Sequence, residues 1–464
     1  MGATVPTAPA GFLAGCRAAV GDAEVIVDPD VTASYTTDWT GRFTGATPAV
    51  VRPGSTAEVA AVVDLARRHR VALVPQGGNT GLVAGGVPLA GEVVVSLARL
   101  TALGPVDGLA GQVTAGAGVT LADLSAHVAS AGLAFGVDIG ARDSATVGGM
   151  VATNAGGLHV IRYGAMRAQV VGVEAVLGTG QVVSRLAGLV KDNTGYDLAQ
   201  VLCGSEGTLG IVTAARLRLV APPGQVVTAL VAVGTVGAAV ALAGALRPHD
   251  GIRALELMTG PSLRMVAEYL ATPVPVAAGA GAYLLVEVGA PAGVAADPVA
   301  ALAAAIDDRP GVLDAAVATE RADRARLWRW REAHSEAGGA RGVVHKLDVT
   351  LPAGEMARFC ADVVDEVTAA RPGAELLLFG HVGDGNVHVN VVGPPAGDEG
   401  VDDVVLGLVV ARGGSISAEH GIGTLKRRWL ARDRSPGEVA AMRAIKAALD
   451  PDGILNPAAL FAPG

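Results

Sequence analysis

The sequence predicts an α+β protein in two main parts, and three observations carry that expectation. Helical and strand-like patterns interleave along all 464 residues without an internal repeat. A proline pair, Pro222-Pro223, interrupts them near the middle. Glycine, at 64 residues, is about double its usual share and concentrates in loops of the first part. The expected organisation is a leader at 1–43, a first domain at 44–222, a second at 223–411 and a C-terminal segment at 412–464.

The leader is expected to pack on the body. Pro53-Gly54 opens the first domain, and Ser55 with Glu58 has capping-box spacing before a helical apolar pattern at Thr56–His69. Val71–Val74 reads as a short buried strand, and Glu92–Leu97 and Gly111–Ala115 as further strands. Thr120–Ala131 reads as a helix with Thr120 as N-cap and Asp123 in its first turn. Val170–Leu177 and Gln181–Ser184 read as a hairpin around Gly178-Thr179-Gly180, and Ile211–Leu219 as the last strand before the boundary. The second domain alternates strands and helices. The tail carries a glycine-rich loop and a helix at Pro436–Leu449 that stops at Pro451.

Composition excludes several classes. Net charge is −9, which argues against nucleic acid, whose phosphates need a basic face. Charged residues are 17% and hydrophobic residues 51%, the balance of an ordered protein rather than a disordered one. The three cysteines, Cys16, Cys203 and Cys360, give neither a disulfide framework nor a zinc spacing, so a reducing cytoplasm is expected. Leu13-Ala14-Gly15-Cys16 resembles a lipoprotein cleavage site, but no Lys or Arg precedes it and Pro6 and Pro9 do. Met1-Gly2 lacks the Ser or Thr at position 6 that myristoylation uses. Val226–Leu246 is uncharged and long enough to span a bilayer, yet its Ala/Gly texture reads as strand, turn and helix, so no transmembrane segment is expected.

Loops at 75–82, 140–157 and 204–210 are glycine-dense, the kind that presents successive backbone N–H groups to an anion. They match neither common nucleotide fingerprint. There is no GxxxxGK[ST], and Gly116-Ala117-Gly118 is followed by Leu121 where a third small residue is needed. A dinucleotide bound here uses another fold.

A second constellation is metal-like. Phe379–Asn390 places His381 and His388 on either side of a glycine-rich turn, with His388 and Asn390 two apart on a strand and therefore on one face. Glu419-His420 lies in a further glycine-rich loop, Ser417–Gly423. Two imidazoles and a carboxylate make a three-ligand set with an open position, although structural, hydrogen-bonded histidines fit H-x6-H equally well. Upstream, Arg331 and Lys346 flank a segment ending in the strand-like Leu347–Pro352 and are candidate carboxylate-binding cations. Trp328 and Trp330 read as packing residues.

Taken together these motifs resemble a known family. Pro75-Gln-Gly-Gly-Asn-Thr-Gly-Leu82, Val147–Gly157, Arg162-Tyr-Gly164, Lys191–Leu198, Gly204-Ser-Glu-Gly-Thr-Leu-Gly210, His381–Asn390, Glu419–Gly423 and Asp450–Pro457 occur in order from about Pro53 to Pro457. The chain is similar to the FAD-linked D-2-hydroxyacid dehydrogenases of the vanillyl-alcohol oxidase flavoprotein superfamily, nearest to the D-2-hydroxyglutarate dehydrogenases.

The resemblance implies a two-lobed FAD-binding domain of the vanillyl-alcohol oxidase type, followed by an α+β cap with an antiparallel sheet. The C-terminal segment would return to the flavin. FAD would be non-covalent, because no histidine sits in the Gln76–Leu82 loop. The residues expected to line it are Pro75, Gln76, Gly77, Gly78, Asn79, Thr80, Gly81, Leu82, Gly140, Ser144, Thr146, Gly149, Asn154, Gly157, Glu206, Gly207, Ile211 and Asn456. His381, His388 and Glu419 would ligate zinc or another divalent cation, and His420 would bind substrate and act as general base. Lys346 and Asn390 would hold the substrate's α-carboxylate, and Arg331 and Ser335 a distal one; Ser335 stands where the nearest relatives carry Thr.

The implied reaction takes a D-2-hydroxyacid to its 2-oxo acid, with the Cα hydride passing to flavin N5. The metal lowers the hydroxyl pKa and His420 accepts the proton. D-2-hydroxyglutarate is the favoured substrate; D-lactate or glycolate is the alternative, as is the FAD subunit of a glycolate oxidase-type complex. A zinc hydrolase using only the His/His/Glu set is a further class, and it would be colourless. The resemblance also implies a non-oxygen acceptor, whether an electron-transfer flavoprotein, a quinone or a cytochrome. A homodimer and a bacterial cytoplasmic location, with peripheral membrane association through the acceptor, complete the expectation.

Overall fold

A computed structural model describes residues 7–291, 297–307 and 309–461. The Met1-Gly2 pattern and the ends of the leader and tail lie outside the described residues. The chain forms two compact units, one of Met1–Gly157, Tyr163–Val220 and Glu419–Gly464, the other of Leu158–Arg162 and Ala221–Ala418.

The first unit contains two sheets. One runs β1 (Val25–Ile26), β2 (Val50–Val51), β4 (Val93–Ser96), β3 (Leu73–Gln76), with parallel pairing between β2, β4 and β3. Its strands are nearly all apolar, as sheets covered on both faces are. The helix Ala10–Val20 packs on the helix Thr56–His69, burying Phe12 and Cys16 with Val59, Val62 and Leu65. Ser55 caps the second of these helices, its Oγ accepting from Glu58 N at 3.2 Å, while Gly54 N donates to Glu58 Oε2 at 2.7 Å. The other sheet is antiparallel and orders β5 (Gln112–Gly116), β9 (Gly210–Val220), β7 (Val170–Leu177), β8 (Val182–Ser184), with β6 (Ala134–Phe135) also on β9. The helices Leu121–Ala129 and Val147–Thr153 cover it, and Leu124, Val128, Met150 and Val151 enter its core. The tail helix Pro436–Leu449 begins with a capping box between Ser435 and Glu438.

The second unit is built on one antiparallel sheet in the order β13 (Val312–Ala318), β10 (Pro223–Val233), β12 (Ala282–Pro291), β11 (Ile252–Thr259), β15 (Glu375–His381), β16 (Asn386–Val392), β14 (Val344–Thr350). On one face Leu230, Met258, Leu285 and Phe379 are buried with Leu327, Trp330, Ala333 and Ala337. Leu327 and Trp330 come from the helix Arg321–Glu332, Ala337 from the helix His334–Gly339, and Ala333 from the junction between them. The uncharged stretch Val226–Leu246 is β10, a turn and the helix Val236–Leu246. No helix among the described residues is long and apolar enough to cross a membrane.

Candidate functional site

In the first unit, β3 delivers the chain into the glycine loop. Gln76 Nε2 donates to Tyr35 O at 2.9 Å and Gly86 O at 2.8 Å, and Asn79 Nδ2 donates to Thr37 O at 2.8 Å. Both side-chain amides therefore brace the loop against the leader. A Cβ on Gly77 would lie 2.2 Å from Thr146 Oγ1, and one on Gly78 1.7 Å from Ser144 O, so only glycine allows this approach. The N–H groups of Gly77 to Leu82 donate to no acceptor among the described residues. Six successive donors without protein partners suit a pyrophosphate, and on that observation the loop fits FAD.

The other expected flavin residues lie elsewhere in the same unit in various roles. Thr146 caps the helix Val147–Thr153, its Oγ1 accepting from Gly149 N at 3.4 Å. Asn154 ends that helix in a left-handed conformation, and its Oδ1 accepts from Arg167 N at 2.8 Å. Gly207 packs on Pro75, Ile211 is a buried residue of β9, and Gly140 stands in an open stretch of loop. Asn456 Nδ2 donates to Gly85 O and Glu206 O, both at 2.8 Å, tying the C-terminal segment to the glycine loops.

The loop carrying Glu419 and His420 is pinned from both sides. Glu419 Oε2 accepts from Gly157 N at 2.7 Å. Glu206 accepts from Ile422 N at 2.8 Å and Gly423 N at 2.6 Å. Enclosure pushes the Glu206 carboxyl upward, against those two hydrogen bonds and the Lys426 charge. The sequence placed Glu206 along the dinucleotide; its carboxylate is directed at the Glu419–Gly423 loop.

In the second unit, strand register collects the other expected residues. Directly paired residues and residues two apart share a face. The pairs Glu256–His381, Phe379–His388, His388–Asp348 and Asn390–Lys346 thus put all seven side chains on one face of β11, β15, β16 and β14. The His381 and His388 rings lie edge to face with centroids 5.3 Å apart. His381 Nδ1 is 2.7 Å from Glu256 Oε1, and His388 Nδ1 is 3.3 Å from Asp348 Oδ1. A carboxylate at Nδ1 makes Nε2 the lone-pair nitrogen, which is how metal-binding histidines are held. His388 and Asp348 offer ligand atoms within 4.8 Å of one another and so fit a divalent cation, whereas His381 falls outside that group. Burial lowers the His388 pKa, partly offset by Asp348, which keeps the ring neutral and able to ligate. Asn386 Nδ2 donates to Asp348 Oδ1 at 2.6 Å and fixes that carboxylate in turn.

Arg331 reaches the same face from the helix Arg321–Glu332. Its Nε donates to Glu256 Oε2 at 2.7 Å, and its guanidinium lies 4.7 Å from the Phe379 ring centroid. The terminal Nη1 and Nη2 make no hydrogen bond among the described residues. Burial works to raise the Glu256 carboxyl, but His381 and Arg331 together hold it below the ordinary range. Burial alone lowers Lys346. Asn390 is 3% exposed, yet its carboxamide makes no hydrogen bond among the described residues. Ser335 is exposed on the helix His334–Gly339, next to a wholly buried His334 whose pKa burial lowers to about 3.

Sequence reasoning did not mark Glu256, Asp348, Asn386 or His334. Asp348 lay inside a segment already read as a strand, so its spacing to a facing histidine was the one available signal.

Comparison with known proteins places both parts of the chain in known domain families. Residues 47–185 match an FAD binding domain, and residues 222–460 match the C-terminal domain of FAD linked oxidases. The chain belongs to the FAD-linked oxidase family. Among these oxidases it is 39% identical over 437 residues to a D-2-hydroxyglutarate dehydrogenase of Xanthomonas citri pv. viticola, covering 92% of each chain. It is 35% identical to the mitochondrial D-2-hydroxyglutarate dehydrogenase of Rattus norvegicus, covering 93% of this chain and 82% of that one. This FAD-linked oxidase is accordingly an FAD-dependent oxidoreductase. Its fold is that of the vanillyl-alcohol oxidase type. Solved structures of p-cresol methylhydroxylase (TM-score 0.79, 16% identity, 98% of each chain) and of 4-ethylphenol oxidase from Gulosibacter chungangensis (TM-score 0.77, 18% identity, 99% of each chain) share it.

Proposed function

We propose that this protein oxidises a D-2-hydroxyacid to the 2-oxo acid, with D-2-hydroxyglutarate as preferred substrate. One observation carries the dicarboxylate reading. The second unit holds two separate groups suited to carboxylates: the Asn390 carboxamide beside Lys346, and the Nη1 and Nη2 of Arg331, which make no hydrogen bond among the described residues. The D-2-hydroxyglutarate dehydrogenases among its relatives support the same reading.

When bound, FAD supplies the N5 that takes the Cα hydride, and a divalent cation supplies the Lewis acidity that acidifies the 2-hydroxyl. His381, His388 and Glu419 would hold that cation. Lys346 and Asn390 would orient the α-carboxylate, and Arg331 with Ser335 the distal one. His420, adjacent to a ligand, takes the hydroxyl proton; imidazole ordinarily titrates near neutral pH and suits that role.

A second reading has its own observation. Glu256 already balances the charge of Arg331, which favours a monocarboxylate such as D-lactate or glycolate. A panel of D-2-hydroxyacids with a dye acceptor separates the two. The dicarboxylate should give the highest kcat/KM; preference for D-lactate or glycolate would reverse the assignment.

A further inference from the structure

The geometry points to Glu256 as a positioning residue that couples recognition of the substrate's distal carboxylate to the hold on the metal. The inference rests on the reading of Arg331 and His381 just given.

Glu256 sits in β11 and is 1% exposed. Each of its oxygens serves a different group: Oε2 accepts from Arg331 Nε and Oε1 faces His381 Nδ1, both at 2.7 Å. β11 brings it there because Glu256 pairs directly with His381 across the β11–β15 ladder. The carboxylate orients both partners. It engages Nε of the guanidinium and leaves Nη1 and Nη2 without a hydrogen bond among the described residues, and it sets the His381 ring with Nε2 as the ligating nitrogen. Phe379 supports the arrangement, lying under Arg331 and tilted against His388 at 5.0 Å.

One negative charge is thus shared between two donors in a buried place where charge interactions are strong. A carboxylate that engages the Arg331 fork draws on the same cation that Glu256 neutralises. Glu256 then bears more fully on His381, making it a stronger donor to a metal. By linkage, a metal on His381 favours a carboxylate on Arg331 to the same degree. No proton moves; Glu256 stays ionised throughout. The result is that the metal is held most firmly when a substrate with two carboxylates is in place.

The test compares the FAD-loaded wild type with Glu256→Gln and Arg331→Met. Zinc affinity is read by competition with a chromophoric chelator, alongside FAD content, Tm, and KM and kcat for D-2-hydroxyglutarate and D-lactate. Glu256→Gln is expected to weaken zinc about 10- to 100-fold, as loss of an outer carboxylate typically does. It should raise KM for D-2-hydroxyglutarate more than for D-lactate while keeping wild-type FAD content. Arg331→Met leaves the whole carboxylate to His381 and is expected to tighten zinc several-fold; it decides the matter alone if Glu256→Gln does not fold. Zinc affinity within twofold of wild type in both variants, or in Arg331→Met alone if that is the one that folds, overturns the coupling. A wild type that holds no zinc, or oxidises no hydroxyacid, overturns the functional reading and this proposal with it. Normal wild-type behaviour with indifferent variants overturns this proposal alone.

Discussion

Asn390 lies directly across from Lys346 in the β14–β16 ladder, on the face that also carries His388. The Asn390 carboxamide makes no protein hydrogen bond among the described residues, and burial disfavours the charge of Lys346 beside it; in the proposed reading a substrate carboxylate bonds to both. Lys346→Met should therefore lower kcat/KM for D-2-hydroxyglutarate and D-lactate alike, by about 30- to 1000-fold, the usual consequence of truncating a buried charge partner. Steady-state kinetics on both substrates checks this; a loss confined to one of them would detach Lys346 from the shared α-carboxylate.

Arg331 makes the opposite prediction. Its Nη1 and Nη2 make no hydrogen bond among the described residues, and in the proposed reading they serve the distal carboxylate, which D-lactate lacks. Arg331→Ala is expected to cost D-2-hydroxyglutarate at least tenfold more in kcat/KM than D-lactate, since lost charge-assisted bonds cost about 1.5–3 kcal/mol each. Equal losses would support the monocarboxylate reading.

The glycine loop gives a test that does not involve turnover. Gly78→Ala would drive a methyl into Ser144 O, and backbone cannot retreat from it cheaply. The variant is expected to fold but to purify with little or no FAD, seen as loss of visible flavin absorbance per protein. Full yellow colour would place the pyrophosphate elsewhere.

A structural prediction concerns Glu287, a buried carboxylate of β12. Burial works to raise its pKa, but hydrogen bonds from His159, Arg253 and Trp328 and the Arg253 charge take it down to about 2, from 4.5. A depressed carboxylate adds stability above its unfolded pKa, and that stability is lost as pH falls from 4.5 through about 2. Glu287→Gln should thus cost on the order of 3 kcal/mol at neutral pH. The gap to wild type should narrow steadily below pH 4.5, as measured by denaturant unfolding at several pH values. A constant gap would mean that the cost is packing rather than charge.

Local signals proved legible where local chemistry decides. Ser55 and Glu58 marked the start of the helix Thr56–His69, and Ser435 and Glu438 mark that of Pro436–Leu449, because a cap is satisfied within four residues. The glycine motifs pointed to a phosphate-type loop for the same reason. Register was not legible. Glu256 and His381 are 125 positions apart, and nothing in either strand names the other as its neighbour. The leader shows the same limit: its apolar residues foretold packing, but not that the carbonyls of Tyr35 and Thr37 would receive Gln76 and Asn79. The segment Leu158–Arg162 runs from the end of one glycine motif into the start of the next by sequence and belongs to the second unit in the structure.

Anaerobic mixing with D-2-hydroxyglutarate tests the whole arrangement most directly, with FAD-loaded protein compared before and after replacement of His381 and His388 by alanine. Rapid bleaching of the oxidised flavin band in the parent protein, and none in the variant despite equal FAD, is the expected result. Bleaching at the same rate in both would contradict a metal site at these histidines.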